Sequence, residues 1–116
     1  MDFEIYHNPR WGKSRGSVKI LEENNLKYSI IEYIKNGISQ EEIKNICNIL
    51  NTRPIGIVRT SDANYKELNI SPSEELDDSY MTNMIIQNPK ILQRPIILNG
   101  SKGVIGRPPE NIYTIL

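Results

Sequence analysis

The residues of this 116-residue chain that could carry chemistry fall in two groups. The first is the run Tyr6-His7-Asn8-Pro9-Arg10-Trp11-Gly12-Lys13-Ser14-Arg15. An extended segment, Phe3 to Tyr6, ends in a turn over Pro9, and a helix opens near Ser14, a residue type that caps helices. The unpaired N–H groups of a first helical turn, with the helix dipole behind them, favour an anion. Arg10, Lys13 and Arg15 add positive charge to the same stretch. The same residues also suit a connecting loop whose basic side chains are merely solvated. Gly12-Lys13-Ser14 is not a nucleotide-binding P-loop, because that motif needs a glycine where His7 stands.

The second group is three arginines, two of them directly before prolines. Arg94-Pro95 enters an apolar strand, Arg107-Pro108 leaves another, and Arg59 follows a short segment opened by Pro54. Three guanidiniums facing one pocket have little structural use without an anion between them, since unpaired buried charge is costly. Hydrogen bonds to a charged partner contribute about 1.5–3 kcal/mol each, enough together to hold a tetrahedral oxyanion. The competing arrangement is three separate surface salt bridges. Cys47, the single thiol, lies on the apolar side of a helix between Ile46 and Leu50, where a cysteine behaves as a small, inert hydrophobe. One cysteine also excludes an intrachain disulfide and any multi-cysteine metal site.

The elements that must position these residues follow from local pattern. Phe3 to Tyr6 and Tyr28 to Tyr33 read as strands. Between them, Val18, Ile20 and Leu21 form the apolar stripe of a helix running from Ser14 to about Asn25. Ser39-Gln40-Glu41-Glu42 is a capping box, followed by Ile43, Ile46, Cys47 and Leu50 on one helical face. A helix over Asp78 to Gln87 has Tyr80, Met81, Met84 and Ile85 inward, and Glu74, Glu75, Asp77 and Asp78 make an acidic helix entrance. Pro95 to Leu98 and Gly103 to Gly106 flank Asn99-Gly100-Ser101-Lys102, a hairpin signal with Asn-Gly in the turn. A last helix opens at Pro108-Pro109 and carries Ile112, Tyr113 and Ile115.

Two strands joined by a helix are parallel with a right-handed crossover, whereas hairpin strands are antiparallel. The expected architecture is therefore a single α/β domain over residues 1–116. It has a mixed four-stranded sheet, helices on both faces and a helical insertion before the C-terminal hairpin. This is the order of the thioredoxin-like folds. The 14 basic and 14 acidic residues cancel, so charge gives no reason to expect a nucleic acid or an anionic membrane as partner. No stretch approaches the roughly 20 apolar residues of a membrane span. The opening Met-Asp-Phe-Glu-Ile-Tyr lacks the pattern of a signal peptide, so the cytoplasm is the expected location.

On these residues the chain resembles the glutaredoxin-coupled arsenate reductases and their relatives of unassigned substrate. The resemblance runs from Phe3 to Leu116. It rests on Tyr6-His7-Asn8-Pro9, Ser14-Arg15, Tyr65-Lys66-Glu67-Leu68, Asn88-Pro89, Arg94-Pro95-Ile96 and Ile105-Gly106-Arg107-Pro108. It implies a cysteine two places after the loop proline that attacks arsenate as a thiolate. Glutathione, as co-substrate, and glutaredoxin, as partner, then reduce the adduct and release arsenite. It further implies Arg59, Arg94 and Arg107 as oxyanion ligands, His7 and Ser14 as supports of the thiolate, and Pro95 as a cis proline. No metal or bound cofactor is implied.

The nucleophile position is Trp11, and an indole cannot form a thiol-linked arsenate adduct. Three explanations stay open. The chain is a non-catalytic member that keeps anion or partner binding, with Trp11 closing the site through cation–π contacts of about 0.5–2 kcal/mol. Alternatively, the natural codon encodes cysteine or selenocysteine, since UGG is one base from the cysteine codons and from UGA. In the third, the fold serves as a protein-interaction module similar to the Spx-like regulators that bind RNA polymerase. The retained arginines favour the first two.

Overall fold

Four short strands make one mixed sheet in the spatial order β2-β1-β3-β4. They are β1 (Phe3–Tyr6), β2 (Tyr28–Ile31), β3 (Ile96–Asn99) and β4 (Lys102–Ile105). β1 and β2 are parallel, while β3 is antiparallel to both β1 and β4. The architecture comes from a computed structural model, which describes residues 2–7 and 12–116, with side chains at 2–7 and 15–116. The chain divides into two compact units, Met1–Lys35 with Arg94–Leu116, and Asn36–Gln93.

In the first unit α1 (Gly12–Glu23) is the crossover between β1 and β2. Strand alternation sends Phe3 and Ile5 to one face of the sheet. There they join Ile97, Leu21 of α1 and the C-terminal Ile112 and Ile115 in one apolar cluster, with Val18, Ile20 and Val104 at its edge. Tyr6 belongs to the opposite face, where its ring lies 6.4 Å from that of Tyr33. Tyr33 is not strand, as its β-favouring composition suggests, but opens the short helix α2 (Tyr33–Asn36). Burial of its ring overrides local propensity.

The C-terminal helix is a 3-10 helix, Pro109–Ile115, instead of an α-helix. Its three-residue period aligns Ile112 with Ile115, both buried, and leaves Tyr113 53% exposed. The hairpin turn falls within the expected Asn99–Lys102 segment. Asn99 pairs with Lys102, so Gly100 and Ser101 form the two-residue loop. Gly100 takes φ of +62°, a conformation that glycine adopts without penalty.

The second unit is helical. The capping box expected at Ser39 is present in both directions: the Ser39 hydroxyl accepts from the Glu42 N–H, and the Glu42 carboxylate accepts from the Ser39 N–H. It opens α3 (Gln40–Leu50), whose Ile43, Ile46 and Cys47 are buried. A 3-10 turn, Pro54–Ile57, follows where Pro54 suits a first helical position. Two one-turn helices, α4 (Ala63–Lys66) and α5 (Pro72–Glu75), lie in a stretch where periodicity gave no signal. The acidic run divides between two helix starts: Glu74 and Glu75 lie in the first turn of α5, while Asp77 caps α6 (Asp78–Gln87). Met81 and Ile85 are buried in α6, and Tyr80 and Met84 are half-buried.

Candidate active site

Strand register gathers one group of the expected site residues. Tyr6, the last residue of β1, stands opposite Ile96, the first of β3, and Ile96 stands opposite Ile105, the last of β4. One end of the sheet therefore carries His7, just past β1, Arg94, two residues before β3, and Arg107, two residues after β4. Both arginines precede cis prolines, Pro95 and Pro108. The Gly106 N–H donates to the Pro95 carbonyl at 2.8 Å, tying the two proline segments together.

The first turns of α1 lie against this same end. A Cβ built on Gly106 would fall 2.7 Å from Ser17 Oγ, 2.9 Å from Pro95 Cγ and 2.9 Å from Ile97 Cδ1. A Cβ on Gly16 would similarly meet Pro109 Cγ at 2.9 Å. Gly106 lets α1 approach the end of the hairpin, and Gly16 lets it approach the C-terminal 3-10 helix, more closely than a side chain would permit. The first turns of α1 thus pack beside the sheet end that carries His7, Arg94 and Arg107.

His7 is 2% exposed, and its Nδ1 is buried without a hydrogen-bond partner among the described residues. Burial holds its pKa below the ordinary histidine value, opposed by the Glu32 carboxylate and reinforced by Arg15. Ser17 is also fully buried, and its Oγ has no partner among the described residues.

Arg59 belongs to the second unit. Its N–H donates to the Ile91 carbonyl at 2.7 Å, and its Nη1 lies 3.3 Å from Asp62 Oδ2. Arg10, Trp11 and the side chains of Lys13 and Ser14, all proposed for the anion-binding loop, lie outside the described residues. Cys47 has the expected burial. It faces a groove of about 510 Å³ lined by residues of α3 and α6. Desolvation, with the Asp78 charge adding to it, pushes its thiol pKa up to about 11. Little thiolate exists at neutral pH, so Cys47 is a poor substitute for a nucleophile at position 11.

Residue types and spacing did not single out Ser17 or Glu32. Glu32 directly follows the strand that is parallel to the one ending before His7, and that adjacency was the available signal.

The sheet order and the crossover helix define a thioredoxin-like protein. The ArsC family model matches residues 6–115. The chain is 35% identical over 116 residues to an arsenate reductase of Neisseria meningitidis serogroup A, covering 99% of this chain and 98% of that relative. It is 34% identical over 117 residues to an arsenate reductase of Haemophilus influenzae, covering 100% of both. The solved structure of an arsenate reductase from Vibrio cholerae is similar with a TM-score of 0.91 at 33% identity, over 100% of this chain and 98% of that one. The chain belongs to the ArsC family. No helix among the described residues is long and apolar enough to cross a membrane.

Proposed function

We propose that this chain binds arsenate or a similar tetrahedral oxyanion at the sheet end marked by His7, Arg94 and Arg107, and that with Trp11 it does not reduce that anion by the thiol route. The observation supporting this reading is the register that assembles those three residues beside the start of α1. Arg59 is implied as a further oxyanion ligand by the family resemblance alone.

Reduction of arsenate to arsenite takes two electrons, supplied by two thiols that end as a disulfide, while the lost oxygen leaves as water. The family places the first sulfur at position 11 and takes the second from glutathione, with glutaredoxin resolving the mixed disulfide. A tryptophan supplies no electron pair on sulfur, and its indole N–H is not lost near neutral pH. His7 and Ser14 then support an anion without activating a nucleophile. The family's use of glutathione as co-substrate makes the cytoplasm the fitting location, and that chemistry requires no bound cofactor.

The test is glutathione- and glutaredoxin-coupled arsenate reduction by this protein beside its Trp11→Cys variant. Turnover only in the cysteine variant is the expected result and identifies the missing sulfur as the lesion. Turnover by the tryptophan form would overturn the nucleophile assignment and make Cys47 the next residue to replace. The natural gene decides the remaining alternative: UGA or a cysteine codon at position 11 would make the native protein an enzyme.

A further inference from the structure

His7 is the single histidine of the chain, and its surroundings are set by backbone register. Its N–H donates to the Ile31 carbonyl at 3.2 Å, extending the parallel ladder that pairs Tyr6 with Ile31. In such a ladder, an N–H bonded to the carbonyl of one residue places its own residue across from the next. His7 therefore stands across from Glu32, and directly opposed residues project from the same face of a sheet. Alternation along β1 puts His7 on the face of Ile5, the side covered by α1. α1 supplies Arg15, so among the described residues the charges acting on His7 are a carboxylate just past the adjoining strand and a guanidinium from the helix above, with Arg94 and Arg107 placed at the same sheet end by strand register.

The geometry points to Glu32 as a positioning residue of this site: it keeps His7 close enough to protonation that an arriving oxyanion converts the imidazole to imidazolium. The inference rests on the reading of the sheet end as an oxyanion site. Burial and Arg15 both disfavour the charged imidazole, whereas Glu32 favours it. The bound anion adds a second negative neighbour, and the proton comes from solvent. Without Glu32, the anion alone has to overcome burial and Arg15. Nδ1, buried without a hydrogen-bond partner among the described residues, is a ring nitrogen that can take a new hydrogen bond or proton. Proton and anion then bind cooperatively, each raising the affinity for the other by the same factor.

A lone histidine gives an unambiguous NMR reporter. Its Hε1 resonance is titrated in the parent, Glu32→Gln, Glu32→Asp and Arg15→Gln proteins, without ligand. The expected midpoints lie below the parent in Glu32→Gln, near it in Glu32→Asp and above it in Arg15→Gln. General loosening around His7 would raise the midpoint toward the ordinary value, so a raised or unmoved midpoint in Glu32→Gln overturns the proposal.

The second arm is calorimetry of arsenate binding at about pH 7 in two buffers of different ionisation enthalpy. Proton uptake by the parent, reduced in Glu32→Gln, is expected. Arsenate binding without proton uptake by the parent would overturn the coupling. Absence of any arsenate binding by the parent would instead defeat the oxyanion reading and with it the coupling, while the NMR midpoints separately decide whether Glu32 sets the charge of His7.

Discussion

The Gly106 N–H donates to the Pro95 carbonyl oxygen at 2.8 Å, and Arg94 and Arg107 each lie one residue beyond that bond. Two arginines that are distant in sequence are thereby held as neighbours on the backbone, each followed by a cis proline. Their separation is set by strand pairing, the most rigidly specified feature of a sheet with a buried face.

If these arginines hold the oxyanion, replacing Arg94 or Arg107 by alanine removes charge-assisted hydrogen bonds worth about 1.5–3 kcal/mol. Arsenate affinity then falls about 10- to 100-fold in each variant, read by calorimetry at fixed ionic strength. An unchanged dissociation constant in either variant would remove that arginine from the site.

Gly106 is required by packing. In Gly106→Ala the added methyl meets Ser17 Oγ, Pro95 Cγ and Ile97 Cδ1 at under 3 Å. Overpacking of this kind costs about 1–3 kcal/mol, measurable as a lower urea midpoint. Ser17→Ala should behave differently, because its Oγ is buried without a partner among the described residues. Its removal is expected to leave stability unchanged or to raise it by up to about 1 kcal/mol. A loss larger than about 1 kcal/mol would show that the hydroxyl has a partner.

The thiol of Cys47, moved from 9.0 to about 11, should be slow to alkylate. At about pH 8 its thiolate fraction is about a hundredfold below that of a thiol at the ordinary value, and burial slows access further. Labelling of the native protein by iodoacetamide should trail that of the urea-unfolded chain by at least that factor. Equal rates would mean an accessible thiol and would reopen Cys47 as a nucleophile.

What was legible from residue order was what local physics decides. The capping box needs Ser39 and Glu42 three residues apart, and both of its bonds close within one turn. The apolar stripe of α3 and the turn residue Gly100 likewise depend on neighbours within a few positions. The relative strand directions followed as well, because a helical crossover and a short hairpin each permit only one. Tyr33 was misread because its fate depends on the ring of Tyr6, 27 positions earlier in the chain, and no local preference encodes that contact.

The candidate site divides the same way. Which residues could carry an anion was set by residue type, and it is the family resemblance that marks Trp11 as the position where a thiol is expected. That His7, Arg94 and Arg107 share one sheet end depends on the register of two strand pairs. The part played by Glu32 depends on a backbone bond between His7 and Ile31. Local sequence sets side-chain chemistry and turn preference, but the neighbour across a sheet is chosen by pairing between distant segments. Electrostatic coupling falls off with separation in space, whatever the separation along the chain.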